Sequence, residues 1–344
     1  LTLNFSAPLT EQHTPSVVKF KKNHMTMRFT LAVGAVVCSA ANDIAGDGGD
    51  HTGGWLRPLI WAGELKAREC YTSRGPKRDR IFKRQICTAA RVGSSYAQLG
   101  QDLIVSYLLG CIRGGYFVDL AANDAIVHSN TAGLEATFGW QGLCVEPNPT
   151  YWAGFGQRRC KLVGAVVTKE DNEMVQFLFD GVKGTMHAIN GQHEQLPSLS
   201  MRTLLLSVGA PRTIDYMSLD VEGAETAVMQ GFPFDAGFTI RVLSVERPDV
   251  VLEQLLVENG MTRVGAIGKM GEVIFIQASD LDVASRARKL AETISKSTPF
   301  YPGLSDGSNL IFPGACGWTK YSVIKRRRWH NLRGGNELHG DIDY

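Results

Sequence analysis

The feature that most constrains this chain is an alternation of two hydrophobic periods that begins near residue 116 and ends near 277. Short apolar runs near 116–120, 142–146, 161–167, 214–220 and 240–246 alternate with helical patterns near 130–138, 149–157, 200–207, 224–230 and 249–259. Parallel strands need a crossover between them, usually a helix. The alternation therefore predicts a parallel sheet with both faces covered. The last two runs, near 261–266 and 271–277, are joined through Gly268-Lys269-Met270-Gly271, which suits an antiparallel hairpin. The expected fold class is α/β: a Rossmann-like, mostly parallel sheet that ends in an antiparallel hairpin.

Several of these runs end in acids. Tyr116-Phe117-Val118 is followed by Asp119, and the turn after it is Ala121-Ala122-Asn123-Asp124-Ala125. Leu143-Cys144-Val145 leads to Glu146, then Pro147-Asn148-Pro149. Tyr216-Met217-Ser218-Leu219 leads to Asp220, Glu222 and Glu225 around Gly223, and Ser244-Val245 leads to Glu246 and Arg247. Ligands of open α/β sheets bind outside the carboxyl ends of the strands. An acid at the end of the second strand, some 20 to 30 residues after the first turn, sits where such folds hold ribose hydroxyls. One carboxylate can accept from two vicinal hydroxyls at once. Asp119 and Asp124 can accept from a cationic amino-acid moiety. Asp220 and Glu222 can act as a base for a hydroxyl, which needs alignment and a proton acceptor, or can hold a metal. Acids also favour the first turn of a helix, which is the plainer role for Glu225. The Gly-x-Gly-x-x-Gly turn of a dinucleotide site is absent after the first strand.

The chain of 344 residues has ordinary globular composition, with 44% hydrophobic and 20% charged residues. Its formal net charge of +2 gives no global field for nucleic acid, and no nucleic-acid partner is expected. The basic runs Lys77–Arg84 and Lys325–Arg328 read as solvated faces or tails. Met27-Arg28, the apolar run Phe29–Val37 and Cys38-Ser39-Ala40-Ala41 make a secretory-signal pattern, too short for a confident membrane span. Retained as an anchor, it would give a membrane association. The seven cysteines are Cys38, Cys70, Cys87, Cys111, Cys144, Cys160 and Cys316. Removing a signal leaves six, which fits disulfides in an oxidising compartment. Cys144 itself reads as a packed thiol, and no Cys/His spacing points to zinc. The expected organisation is an N-terminal extension over 1–42, a stalk over 43–92, the α/β domain over 93–280 and a basic extension over 281–344. Leu281–Ile294 reads as helical.

Taken together, the motifs resemble the FkbM-type family of S-adenosylmethionine-dependent methyltransferases. The matching pieces are Gln98–Asp102, Gly115–Asp119, Asn123-Asp124, Ser129-Asn130-Thr131, Leu134-Glu135, Gly139–Pro149, Asp215–Glu225, Gly231–Phe234 and Val245–Pro248, in order over roughly 95 to 277. The resemblance implies the class I methyltransferase variation of the doubly wound fold. It also implies transfer of a methyl group from S-adenosyl-L-methionine to a hydroxyl of a sugar, glycan or other small metabolite. It places Asp119, Asn123 and Asp124 at the methionine part of the cofactor and Glu146 at the ribose, with Gln101, Asp102, Ser129 and Asn130 close by. Asp220 and Glu222 fall on the acceptor side, and no metal is assigned. The family usually has glycine where this chain has Ala121 and Ala125. If either position needs φ > 0, alanine costs roughly 1 kcal/mol. These departures and the signal-like segment also fit a non-catalytic relative acting in secretory-pathway trafficking or interaction. The expected location is the secretory pathway, with the cytoplasm as the other option.

Overall fold

The computed structural model describes residues 17–22, 25–32, 35–39, 89–180, 183–185, 193–296, 300, 315–318 and 320–321. The stalk before residue 89, both basic runs, Cys70 and Cys87 lie outside these residues. The chain divides into two compact units, Leu1–Gly53 and Gly54–Tyr344. In the first, β1 (Val17–Lys22), β2 (Met25–Ala32) and β3 (Ala35–Ser39) form an antiparallel sheet in that order. The signal-like apolar run falls on β2 and β3. Among the described residues no helix is long and apolar enough to cross a membrane.

The second unit begins with β4 (Ser94–Ser95), α1 (Gln101–Leu108), β5 (Tyr116–Leu120), α2 (Ala132–Phe138) and β6 (Gln141–Val145). A 3-10 helix over Pro149–Gln157 follows, where sequence periodicity predicts a helix. The chain continues through β7 (Lys161–Val163), β8 (Val166–Thr168), β9 (Met174–Asp180), β10 (Lys183–Thr185), β11 (His193–Ser200) and α3 (Met201–Ser207). It ends with β12 (Thr213–Leu219), α4 (Glu225–Gln230), β13 (Thr239–Glu246), α5 (Val250–Glu258), β14 (Met261–Ile267), β15 (Glu272–Gln277), α6 (Leu281–Lys296) and β16 (Lys320–Tyr321).

Seven strands form the central sheet, in the order β14-β15-β13-β12-β5-β6-β7. Strands β13, β12, β5, β6 and β7 run parallel, while β15 is antiparallel to both of its neighbours. From β5 the chain winds outward through β6 and β7, then returns to β12 on the other side of β5. The strand order thus reverses between β5 and β12, the topological switch point where doubly wound sheets bind ligands.

Alternation along each strand divides the core between the two faces. Phe117, Cys144 and Tyr216 pack with residues of α1, α2 and α6. Val118, Leu120, Leu143, Val145, Met217 and Leu219 pack with those of α3, α4 and α5. Each such buried side chain contributes roughly 1.5–3 kcal/mol of transfer free energy. The run read as one strand over 161–167 is two, because the chain breaks at Gly164-Ala165 and β8 leaves for another sheet. A Cβ on Gly164 would lie 2.2 Å from the Trp152 ring, so only glycine fits that passage. The second sheet, β10-β9-β11-β8, is an addition that the sequence reading lacks. Its small core of Val166, Phe177 and Leu196, with Val175, has the period of a half-buried strand.

Cysteine bookkeeping also changes. Cys144 is not a packed thiol: it is bonded to Cys160, and Cys111 to Cys316. The second bond returns the C-terminal segment to α1, where Trp318 Nε1 donates to Ser106 Oγ at 2.8 Å and the Trp318 ring meets Phe138 edge-on. Helix α6 buries Val283, Ala287 and Leu290, at helical spacing, and packs against β14 and β15.

Candidate functional site

The site is assembled at the carboxyl edge of the central sheet. In register, Asp119 lies beside Ser218 of β12 on one side and Cys144 of β6 on the other, and Ser218 lies beside Ser244 of β13. This places a polar row on the face otherwise occupied by Phe117 and Tyr216. Asp119 is buried and accepts from Thr131 Oγ1 at 2.6 Å. Burial raises its carboxyl above the ordinary range, against the hydrogen bond from Thr131 and the charge of Arg158.

The turn after β5 is strained. Ala121 has φ +55° and Asn123 φ +50°, the left-handed region that glycine favours. Ala125, the other position where glycine is usual in the resembled family, is not left-handed, and its methyl group is buried. The turn after β12 is strained too, with Glu222 at +54° and Gly223 at +106°, and Arg247 after β13 stands at +49°. Left-handed non-glycine residues thus follow three of the parallel strands at one edge, as they do at ligand sites.

Glu146 ends the second strand as expected. Its two oxygens accept from the backbone N–H groups of Asn123 and Asn148, each at 2.7 Å. Trp152 Nε1 donates to its carbonyl at 2.7 Å. Burial pushes the Glu146 carboxyl up to about 7, with the charge of Asp119 acting in the same direction. Asp124 turns inward on the loop, and its Oδ1 accepts from Ile126 and Val127 N–H. Ser129 Oγ accepts from Ala132 N–H at the start of α2. Gln101 is buried, accepts from Leu99 N–H and bonds to Glu272. These three predicted site residues therefore hold the loops of the site through bonds within the protein. Asn130 differs. Its Nδ2 donates to Ser218 Oγ at 2.9 Å, while its Oδ1 is the buried side-chain polar atom without a partner among the described residues.

The acid group forms the other wall. Asp220 and Glu222 are partly buried and Glu246 is buried, and their carboxylate oxygens lie within 4.8 Å of one another. Burial raises Asp220 well above the ordinary carboxylate range, and the Glu246 charge and a hydrogen bond to Glu246 raise it further. Arg247 lies 3.4 Å from Glu222 and 2.5 Å from Glu246. Three such carboxylates are a donor set for a hard divalent cation; here the counter-charge is a guanidinium. Glu225 is turned away, accepting from Val221 and Gly223 N–H. Asp215 lies at the opposite end of β12, paired with Arg241.

Sequence reading missed three contributors. Glu272, the first residue of β15, lies beside Glu246 in register, and burial pushes it up to about 7. The signal for it was the hairpin, whose antiparallel second strand begins beside the end of β13. Thr131 and Arg158 carry no sequence signal of this kind.

Between Ala121, Pro147, Val167, Phe177 and Val221 lies an apolar cavity of about 40 Å³. One water needs roughly 10–15 Å³ in this measure, so the cavity has room for about three. In kind, these residues fit an aminoacyl nucleoside. Asn130 Oδ1 and Asp119 are acceptors for an ammonium group, Glu146 keeps a lone pair on each oxygen for hydroxyls, and the cavity is apolar as an aromatic base requires. The cavity must widen before a base enters. No protein-family model matches the chain, and no curated protein matches it.

Proposed function

We propose that residues 93–280 form an FkbM-type, S-adenosylmethionine-dependent O-methyltransferase domain of the class I plan, acting on a hydroxyl of a sugar or other small metabolite. The observation that carries this reading is the gathering of Asp119, Glu146 and Asp220 at the carboxyl ends of β5, β6 and β12, around the switch point. The parallel sheet finished by an antiparallel hairpin supports it, as does the unpartnered Asn130 Oδ1. When bound, the cofactor supplies an electrophilic methyl group. Asp119 and Asn130 accept from its ammonium group and Glu146 from its ribose. Asp220 and Glu222 line the acceptor side, where an ionised carboxylate takes up the hydroxyl proton. The two disulfides support a secretory location, and the reading of Phe29–Val37 as signal or anchor belongs to the same proposal.

A second reading, a non-catalytic relative acting in trafficking or interaction, is favoured by the narrow cavity and by the left-handed Ala121 at its wall. Isothermal titration with S-adenosylhomocysteine separates the two. The first reading expects binding that Glu146→Gln weakens. A folded protein with no binding at millimolar ligand overturns it, and binding restored by Ala121→Gly alone identifies a decayed site.

A further inference from the structure

We propose that Arg158 is the positioning residue of this site, fixing the loop from Ala125 to Thr131 in the shape that presents Asp119 and Asn130. This rests on the reading of the site given above. Arg158 is 6% exposed, and its guanidinium has partners on three sides. Nη1 donates to the Ala125 carbonyl at 2.7 Å and to Ser129 Oγ at 3.1 Å, and Nη2 donates to Thr131 Oγ1 at 2.9 Å. Thr131 Oγ1 passes its own proton on to Asp119 at 2.6 Å. One side chain therefore grips the loop at three residues and reaches the strand-end carboxylate through a fourth bond.

The grip is itself anchored. Nε donates to Glu135 Oε2 at 3.1 Å, and Glu135 also accepts from Arg159 and Cys160 N–H, at 2.7 and 3.2 Å. The guanidinium carbon lies 5.9 Å from the Phe117 ring centroid and 6.0 Å from that of Phe155. Two residues further on, Cys160 is bonded to Cys144 of the strand that delivers Glu146. The planar fork is what makes these bonds compatible, because an ammonium group carries the same charge without it. Arg158 holds the loop that follows the strained turn, while the turn itself is held by Asn123 N–H on Glu146 and Ala122 N–H on the Val145 carbonyl.

The test compares the native protein with Arg158→Lys and Glu135→Gln, by S-adenosylhomocysteine titration and by hydrogen exchange. Arg158→Lys is expected to weaken binding roughly tenfold to a hundredfold, as for lost charge-assisted hydrogen bonds, and to speed exchange of the amides at 126–132 while those of β12 and β13 keep their protection. Glu135→Gln loosens only the anchor and gives the same pattern to a smaller degree; it carries the test if Arg158→Lys does not fold. Native affinity in the variants, or exchange that rises evenly across the domain, overturns the proposal and leaves Arg158 a core ion pair. If the native protein binds no S-adenosylhomocysteine, the methyltransferase reading fails, and the exchange pattern alone still decides the role of Arg158.

Discussion

Ala121 combines two roles that conflict. Its Cβ is carried in a left-handed conformation at φ +55°, and the same residue lines the cavity with Pro147 and Val221. A glycine here would remove the Cβ–carbonyl conflict of the left-handed region, about 1 kcal/mol. Ala121→Gly is therefore expected to stabilise the folded protein and to raise Tm by roughly 2–4 °C, read by calorimetry. A lowered Tm would mean that the methyl contact is worth more than the strain. Ala125→Gly, at a buried position without positive φ, is expected to destabilise in the same experiment. The two alanines, equal as sequence departures, are thus opposite as structural ones.

At the scale of elements, the strands of the central sheet were legible because they are short, apolar and ended by acids or turns. Tyr116–Leu120, Thr213–Leu219 and Thr239–Glu246 fall where the runs predict them. The second sheet was less legible. Its strand Met174–Asp180 is apolar at Val175, Phe177 and Phe179 but also at Met174 and Leu178, so no clean alternation of apolar and polar residues marks it. For the site, legibility followed the strands. Asp119, Glu146, Asp220 and Glu246 were readable as strand ends. Glu272 was not, because it starts a strand, and only the antiparallel pairing of β15 with β13 brings it to the same edge. Arg158 lies beyond a 3-10 helix with no ligand-bearing period, and its role depends on tertiary contacts that no local pattern encodes.

For the whole molecule, buried acid gathers at the sheet edge, at Glu146 and Glu272, and at the start of α1, at Asp102. Burial raises Glu146 and Glu272 from 4.5 to about 7, and Asp102 from 3.8 to about 6. Between the ordinary and the raised values, the folded protein binds more protons than the unfolded chain. Stability therefore falls as pH rises through that window, by up to about 3 kcal/mol for one such glutamate at 1.36 kcal/mol per unit. The protein should melt at higher temperature at pH 5 than at pH 7.5, and Glu272→Gln should flatten the difference. A Tm that rises over the same interval contradicts the burial of these acids.

The two disulfides among the described residues differ in one further respect: their partners are 16 and 205 residues apart. During synthesis, Cys144 meets Cys160 almost at once, whereas Cys111 waits for nearly the whole remaining chain. Closing the longer loop costs roughly 2 kcal/mol more in chain entropy. In oxidative refolding quenched by alkylation, Cys144–Cys160 should accumulate first, with Cys111 still free. The reverse order would mean that α1 and the C-terminal segment dock before the sheet edge forms. Maturation thus has a direction: of these two bonds, the later one ties the segment around Cys316 back to the chain just after α1.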